Sequence, residues 1–285
     1  MGGKRILLLA KTPLVQRLEP TVLKRLAANG AVNIERLTLA AETHEHTLAL
    51  VRKVVGAHRV NEWKVESVQA RDAEGKDLVV TVGGDGTVLT ANSIDADVPL
   101  LTVNSDPAGS IGMFARCTAD TVAALFESWL AGTAVEESIP RLQVRIDGGP
   151  AWRVLNECLF ASANPAAMTR YVLAAEGERE SQRSSGVWVA TAAGSTAAIR
   201  SAGMEPIEPH TPALLFKVRE PFLGRAPMGM LHGRQLPPSG LTLVSAMPGI
   251  SIFIDGPHIH RMVPPGSTVE FSVSPKPLRL LRLPS

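Results

Sequence analysis

The chain has 285 residues, 45% of them hydrophobic, and a formal net charge of +2. That length allows one large or two ordinary domains with real cores, and so small a charge gives no argument for a nucleic-acid or membrane partner. The two cysteines, Cys117 and Cys158, lack metal-ligand spacing and are too few for a disulfide scaffold, so two free thiols in a reducing compartment are expected.

Lys4 and Arg5 precede Ile6-Leu7-Leu8-Leu9-Ala10, and Lys11 ends that apolar run after five residues. The run is too short for a signal segment and reads as a first strand, Arg5–Ala10. No apolar stretch is long enough to span a bilayer, and a soluble, cytoplasmic protein is expected. Leu14, Leu18, Val22, Leu23 and Leu26 share one helical face, with a start blurred by Pro13 and Pro20. Val32–Leu39 reads as a second strand. Leu48, Val51, Val54 and Val55 mark an amphipathic helix, with His44 and His46 just ahead of it. Trp63–Val68, Leu78–Val82 and Val98–Val103 read as strands. Thr118 would cap a helix carrying Val122, Leu125, Phe126, Trp129 and Leu130, with Gly132 as its stop. Alternating strands and helices predict a Rossmann-like, mainly parallel α/β domain over residues 1–135.

Beyond that point the rhythm changes to short strands between Gly and Pro turns. Leu142–Ile146 runs into the turn Asp147-Gly148-Gly149-Pro150. Trp152–Phe160, Tyr171–Ala175, Val187–Thr191, Ala213–Val218, Leu241–Ser245, Ser251–Ile254 and Thr268–Val273 follow, with Glu176–Arg183 as an exposed hairpin tip. A β-sandwich-like domain over 136–285 is predicted, with a final segment able to pack back on the first.

The most informative stretch is Gly83-Gly84-Asp85-Gly86-Thr87. It follows a buried-type strand and leads into a helix-compatible run that begins at Thr87. Glycines let a backbone approach a ligand closely, and a helix N-terminus behind them makes an anion site. Asp85 is the odd member, because a carboxylate beside phosphates is repelled unless a metal bridges them or it has a proton to accept. Either condition points to phosphoryl transfer. A plain tight β–α turn is the ordinary alternative. The loop is neither G-x-G-x-x-G nor a Walker loop.

Asn104-Ser105-Asp106-Pro107 follows the strand that ends at Val103, which puts Asn104 and Asp106 on the carboxyl rim with Asp85, or else makes an Asx turn. Asn156-Glu157 interrupts an apolar strand. Ribose hydroxyls or a base edge would satisfy the pair, as would an edge ion pair of Glu157 with Arg153 or Arg170. Ala192-Ala193-Gly194-Ser195-Thr196 ends another strand with small residues that admit a flat group, or with Ser195 or Thr196 as a helix cap. His258 and His260 alternate but lack a third metal ligand. No G-x-S-x-G elbow surrounds Ser195.

In this order the pieces resemble the NAD kinase family, from about Leu78 to Arg225. Gly83-Gly84-Asp85-Gly86-Thr87 before Val88-Leu89, Asn156-Glu157 and Gly194-Ser195-Thr196-Ala197 are similar to its motifs. Val103–Pro107, Ser184-Ser185-Gly186 and Leu215–Pro221 resemble the mitochondrial-type branch and its bacterial relatives. The resemblance implies a site in the cleft between the two domains, and transfer of a phosphoryl group from ATP or polyphosphate to the adenosine ribose 2′-hydroxyl of NAD(H). Asp85 would be the general base. Gly83, Gly84, Gly86 and Thr87 would meet the donor with Mg²⁺, which would be held mainly by phosphates. Asp85, Gly86, Asn156, Glu157, Arg183, Ser185, Thr196, Ala197 and Ser201 would contact the dinucleotide, with Asn104, Asp106 and Ser195 as further candidates. A homodimer or homotetramer through the β domains is implied as well. Ser185 stands where most members have aspartate, and Ala192, Ala193 and Ala198 replace the usual Pro, Thr/Ser and Tyr, which bears on NAD versus NADH preference. Two other functions share parts of the pattern, a lipid kinase with the same glycine loop and a non-catalytic dinucleotide sensor.

Overall fold

A computed structural model describes residues 3–222, 224, 229–256 and 259–284. The chain forms two compact units, Met1–Glu137 with Arg279–Ser285, and Ser138–Leu278.

The first unit begins with β1 (Arg5–Ala10), whose residues Ile6 to Ala10 are wholly buried. Next come α1 (Leu14–Arg17), α2 (Pro20–Ala28), α3 (Ile34–Val55) and β2 (Arg59–Lys64). They are followed by β3 (Leu78–Gly83), α4 (Asp85–Ser93), β4 (Leu100–Asn104), α5 (Val122–Leu130) and β5 (Val135–Ile139). The sheet order is β2-β1-β3-β4, then the chain's last strand Leu278–Arg282, then β5. The pairings β1–β2, β1–β3 and β3–β4 are parallel. β1, β3 and β4 are buried throughout or nearly so, which is why their sequences are unbroken apolar runs rather than alternating ones.

Several local expectations need correction. Val32–Leu39 is not a strand, because α3 starts at Ile34, capped by Asn33 Oδ1, which accepts from Arg36 N at 2.9 Å. The helical face runs on through Ala41, His44, Leu48, Val51 and Val55, so His44 and His46 lie inside the helix and His44 is wholly buried. The Leu14–Leu26 face is split into two short helices with no buried residue, and Pro20 is at the start of the second. β2 lies earlier than Trp63–Val68, since an edge strand that is mostly exposed carries little apolar signal. Thr121, not Thr118, precedes α5, and its Oγ1 accepts from Thr118 N at 3.1 Å.

The second unit holds β6 (Leu142–Ile146), β7 (Trp152–Val154), β8 (Glu157–Ser162), β9 (Thr169–Ala175), β10 (Glu178–Ser184) and β11 (Gly186–Thr191). A short helix α6 (Ala198–Ser201) precedes β12 (Leu214–Arg219), β13 (His232–Gln235), β14 (Leu241–Ser245), β15 (Ile250–Ile254), β16 (Ile259–Val263) and β17 (Thr268–Val273). Two six-stranded sheets, β10-β9-β14-β17-β6-β7 and β13-β12-β11-β8-β15-β16, enclose a core that includes Leu142, Phe160, Tyr171, Phe216, Ile252 and Phe271. The fold is thus α/β followed by an antiparallel β sandwich, as the sequence predicts.

The predicted strand Trp152–Phe160 is two strands, one in each sheet, and the chain crosses over at Leu155-Asn156. Glu176–Arg183 is not all hairpin tip. Only Glu176 and Gly177, with φ of 54° and 82°, make the turn, and the rest is β10 paired from Ala175↔Glu178 onward. No described helix is long and apolar enough to cross a membrane. Both cysteines are free and buried.

Candidate active site

β3 delivers the glycine loop to the carboxyl edge of the first sheet. Gly84 caps α4, so the helix begins at Asp85, two residues before the predicted start at Thr87. Each glycine has a different reason. A Cβ on Gly83 would overlap Thr87 Oγ1, because Thr87 is buried and folds back with its N–H 3.0 Å from Gly84 O. A Cβ on Gly84 would come within 2.8 Å of Ser110 Oγ. Gly86 meets nothing within 4 Å, so its missing side chain leaves open space at the helix start.

Asp85 is half-buried, and its two oxygens accept from successive backbone groups, Oδ1 from Phe114 N at 2.9 Å and Oδ2 from Met113 N at 3.1 Å. The loop after β4 supplies that clamp. Asn104, only 7% exposed, is used inside the loop, where Oδ1 accepts from Asp106 N (3.1 Å) and Nδ2 donates to Ser110 O (3.3 Å). Asp106 Oδ1 accepts from Gly109 N at 3.2 Å. Asn104 therefore braces the segment that grips Asp85. The N–H clamp carries no side-chain signature, and nothing in the sequence pattern pointed to it.

In the second unit, Asn156 and Glu157 sit where the chain changes sheets. Asp255 holds that crossing, accepting from Leu155 N (3.1 and 3.0 Å) and from Asn156 N (2.7 Å). The contact is made from about a hundred residues away along the chain and shows only in the fold. Glu157 is 7% exposed, and its Oε2 accepts from Ala198 N (3.0 Å), the first N–H of α6. It therefore caps the helix itself, in place of Ser195 or Thr196 and in place of an ion pair with Arg153 or Arg170. Ser195 is wholly buried and bonded to the backbone of Ile207, accepting from N at 3.2 Å and donating to O at 3.4 Å. A Cβ on Gly194 would overlap the Asn156 carbonyl, so the small-residue loop rests directly on the Asn156-Glu157 backbone.

Thr196 and Ala197 are half-buried, and Ser201 is exposed at the end of α6. Arg183 is exposed on β10, its guanidinium 5.7 Å from the Phe222 ring. A cavity of about 460 Å³ is lined by Glu157, Ser185, Trp188, Arg219 and Phe253 among others, so two predicted dinucleotide contacts share it. Of the histidine pair, His258 lies outside the described residues, and His260 stacks on Phe253. Among the described residues no three His, Cys, Asp or Glu side chains gather as a metal site.

Burial pushes the Glu157 carboxyl up to about 7, the nearby Asp255 charge adds to this, and the Ala198 N–H opposes it. The group gains a proton in the folded state over the window from the ordinary 4.5 to about 7. Its contribution to stability is therefore intact below that window and lost as pH rises through it, by roughly 3 kcal/mol. Glu157→Gln should gain on the wild type by that order between pH 5 and 8 in urea denaturation. A stability difference that stays constant with pH would mean that Glu157 titrates as an ordinary carboxyl.

Residues 11–134 match the family model described as the ATP-NAD kinase N-terminal domain. A probable NADH kinase of Oryza sativa subsp. japonica is 31% identical over 272 residues, covering 85% of this chain and 82% of that protein. The chain belongs to the NAD kinase family. An NAD kinase of Methanospirillum hungatei JF-1 is 32% identical over 205 residues, covering 70% of this chain and 72% of that protein. The fold agrees with that of an Archaeoglobus fulgidus NAD kinase solved in complex with ATP, at a TM-score of 0.68 and 18% identity over 97% of this chain and 92% of that one. It also agrees with yeast NADH kinase complexed with NADH, at a TM-score of 0.68 and 17% identity over 99% and 84%. Family membership supports phosphorylation of NAD as the activity and favours neither the lipid kinase nor the sensor.

Proposed function

We propose that this NAD kinase transfers the terminal phosphoryl group of ATP, or of polyphosphate, to the adenosine ribose 2′-hydroxyl of NAD or NADH. The observation that carries the reading is the Asp85 carboxylate, fixed by two backbone N–H groups at the first position of α4, beside the open space at Gly86. The 2′-oxygen forms the new P–O bond, the bond from the terminal phosphorus to the bridging oxygen breaks, and the hydroxyl proton passes to Asp85. ADP, or a polyphosphate one unit shorter, leaves. In a loose transition state the hydroxyl becomes acidic late, so a weak base suffices, and positioning and charge neutralisation supply most of the acceleration.

Gly83, Gly84, Gly86 and Thr87 would present the helix N-terminus to the donor. Asn156, Glu157, Arg183, Ser185, Thr196, Ala197 and Ser201 would contact the dinucleotide. Mg²⁺ would be carried mainly by phosphate and water oxygens and would neutralise donor charge. The ATP complex of the Archaeoglobus enzyme supports ATP as donor, and the Oryza sativa relative named a probable NADH kinase, with the yeast NADH kinase of similar fold, supports NADH as an acceptor. Two free thiols suit a reducing cytoplasm, and a homodimer or homotetramer is the proposed assembly. The test is to incubate the protein with Mg²⁺, NAD or NADH and each donor, then quantify NADP(H). Binding of NAD with no product from any donor would replace the kinase with a sensor.

A further inference from the structure

In the first sheet β2 and β3 flank β1, so the strand order reverses between β1 and β3. In open parallel sheets the crevice outside the carboxyl ends of two such strands is where ligands bind. β3 leaves that crevice as the glycine loop, and β1 leaves it as Lys11. Ala10 pairs with Val82, Lys11 N donates to Val82 O at 3.1 Å, and a Cβ on Gly83 would lie 3.4 Å from Lys11 Cβ. Lys11 thus stands directly beside the loop.

Its side chain is half-buried, yet among the described residues the ammonium has no hydrogen-bond or ion-pair partner within reach. The charged group that acts on it is Asp106, on the loop after β4. His44 of α3 also faces it, but that ring is wholly buried, bonds Ser105 Oγ through Nδ1 at 2.9 Å, and is pushed down to about 4 by burial first and the Lys11 charge second. It is neutral near pH 7 and does not compete for an anion. On the other flank, the half-buried Ser110 hydroxyl sits 2.8 Å from where a Gly84 Cβ would be and has no hydrogen-bond partner among the described residues. Two donors without a protein acceptor among the described residues thus bracket Gly83-Gly84 at the N-terminus of α4.

We propose that Lys11 and Ser110 are the side-chain walls of the donor site, the ammonium binding the terminal phosphoryl oxygens of a triphosphate or polyphosphate chain and the hydroxyl donating to an adjacent phosphate oxygen. The proposal rests on reading the glycine loop as the donor site. Backbone N–H groups alone supply partial charge, whereas Lys11 brings a full one to where negative charge spreads during transfer, as a flexible point charge suited to phosphate.

Inorganic tripolyphosphate with Mg²⁺ is the probe, since it has neither base nor sugar. By calorimetry, Lys11→Met should bind it about tenfold to a hundredfold more weakly than the wild type, and Ser110→Ala a few-fold more weakly, with NAD affinity within about twofold. Turnover of NAD by K11M should fall by at least about tenfold. Wild-type tripolyphosphate affinity in folded K11M overturns the Lys11 assignment. Should K11M not fold, K11Q decides in its place, and S110A at wild-type affinity removes Ser110. No tripolyphosphate binding by the wild type overturns both. Tripolyphosphate binding that depends on Lys11, in a protein that makes no NADP(H), would sink the kinase reading and leave the cradle standing.

Discussion

Asp85→Asn should lower turnover of NAD by roughly two orders of magnitude or more while leaving NAD affinity within about threefold. Asparagine keeps the shape of the side chain and one good acceptor. It cannot take the hydroxyl proton, and the acceleration that depends on where that proton goes is lost. The substitution also has a structural cost that can be read separately. Met113 N and Phe114 N each donate to one oxygen of Asp85. An amide presents its NH₂ to one of those donors, and since Met113 is 42% exposed its N–H can turn to water, so the cost is about 1 kcal/mol. The melting temperature should therefore drop modestly, while kcat at saturating substrates, measured on folded protein, drops far more. Turnover within tenfold of the wild type would remove Asp85 as the base. A large loss of NAD affinity would mean that the N–H clamp, not the chemistry, is what Asp85 serves.

The difference between what was legible in advance and what was not follows from the range of the interactions. β1, β3 and β4 could be read because strands buried on both faces are written as unbroken apolar runs. The start of α3 reads as a strand because Val32 and Ile34, and then Leu37 and Leu39, are spaced by two, while the cap that decides the matter is a single side chain, Asn33. Edge strands such as β13 and β16 bury little on either face and so leave no period. At the site, the residue types that phosphoryl transfer needs occur as short local motifs, and these were visible. Their supports are tertiary. The clamp on Asp85 comes from backbone atoms 28 and 29 residues away, and Asp255 reaches Asn156 N across 99 residues. No local pattern encodes such a partner, because the fold is what creates the contact.

Two glycine-to-alanine substitutions should separate the two kinds of glycine in this protein. Gly194→Ala places a methyl group onto the Asn156 carbonyl, with Asn156 Cα only 2.9 Å away, and both neighbours are backbone that no rotamer change can move. The loop must shift. The shift would pull Ala198 N from Glu157 and load the Leu155-Asn156 crossing that Asp255 holds. A stability loss of about 3 kcal/mol or more is expected, in the upper range for overpacking, together with NAD affinity reduced by more than roughly tenfold. Gly86→Ala is the opposite case. Its methyl enters open space inside the first turn of α4, where alanine is the better helix former, so stability should hold or rise by up to about 1 kcal/mol. Turnover should nevertheless fall by at least about tenfold, because the methyl occupies the approach left for the donor. Denaturation curves and NADP formation on both variants distinguish the two roles. If G194A keeps wild-type stability, the packing of the small-residue loop on Asn156 is not as described, and if G86A keeps wild-type turnover, the space at the start of α4 is not where the phosphates lie.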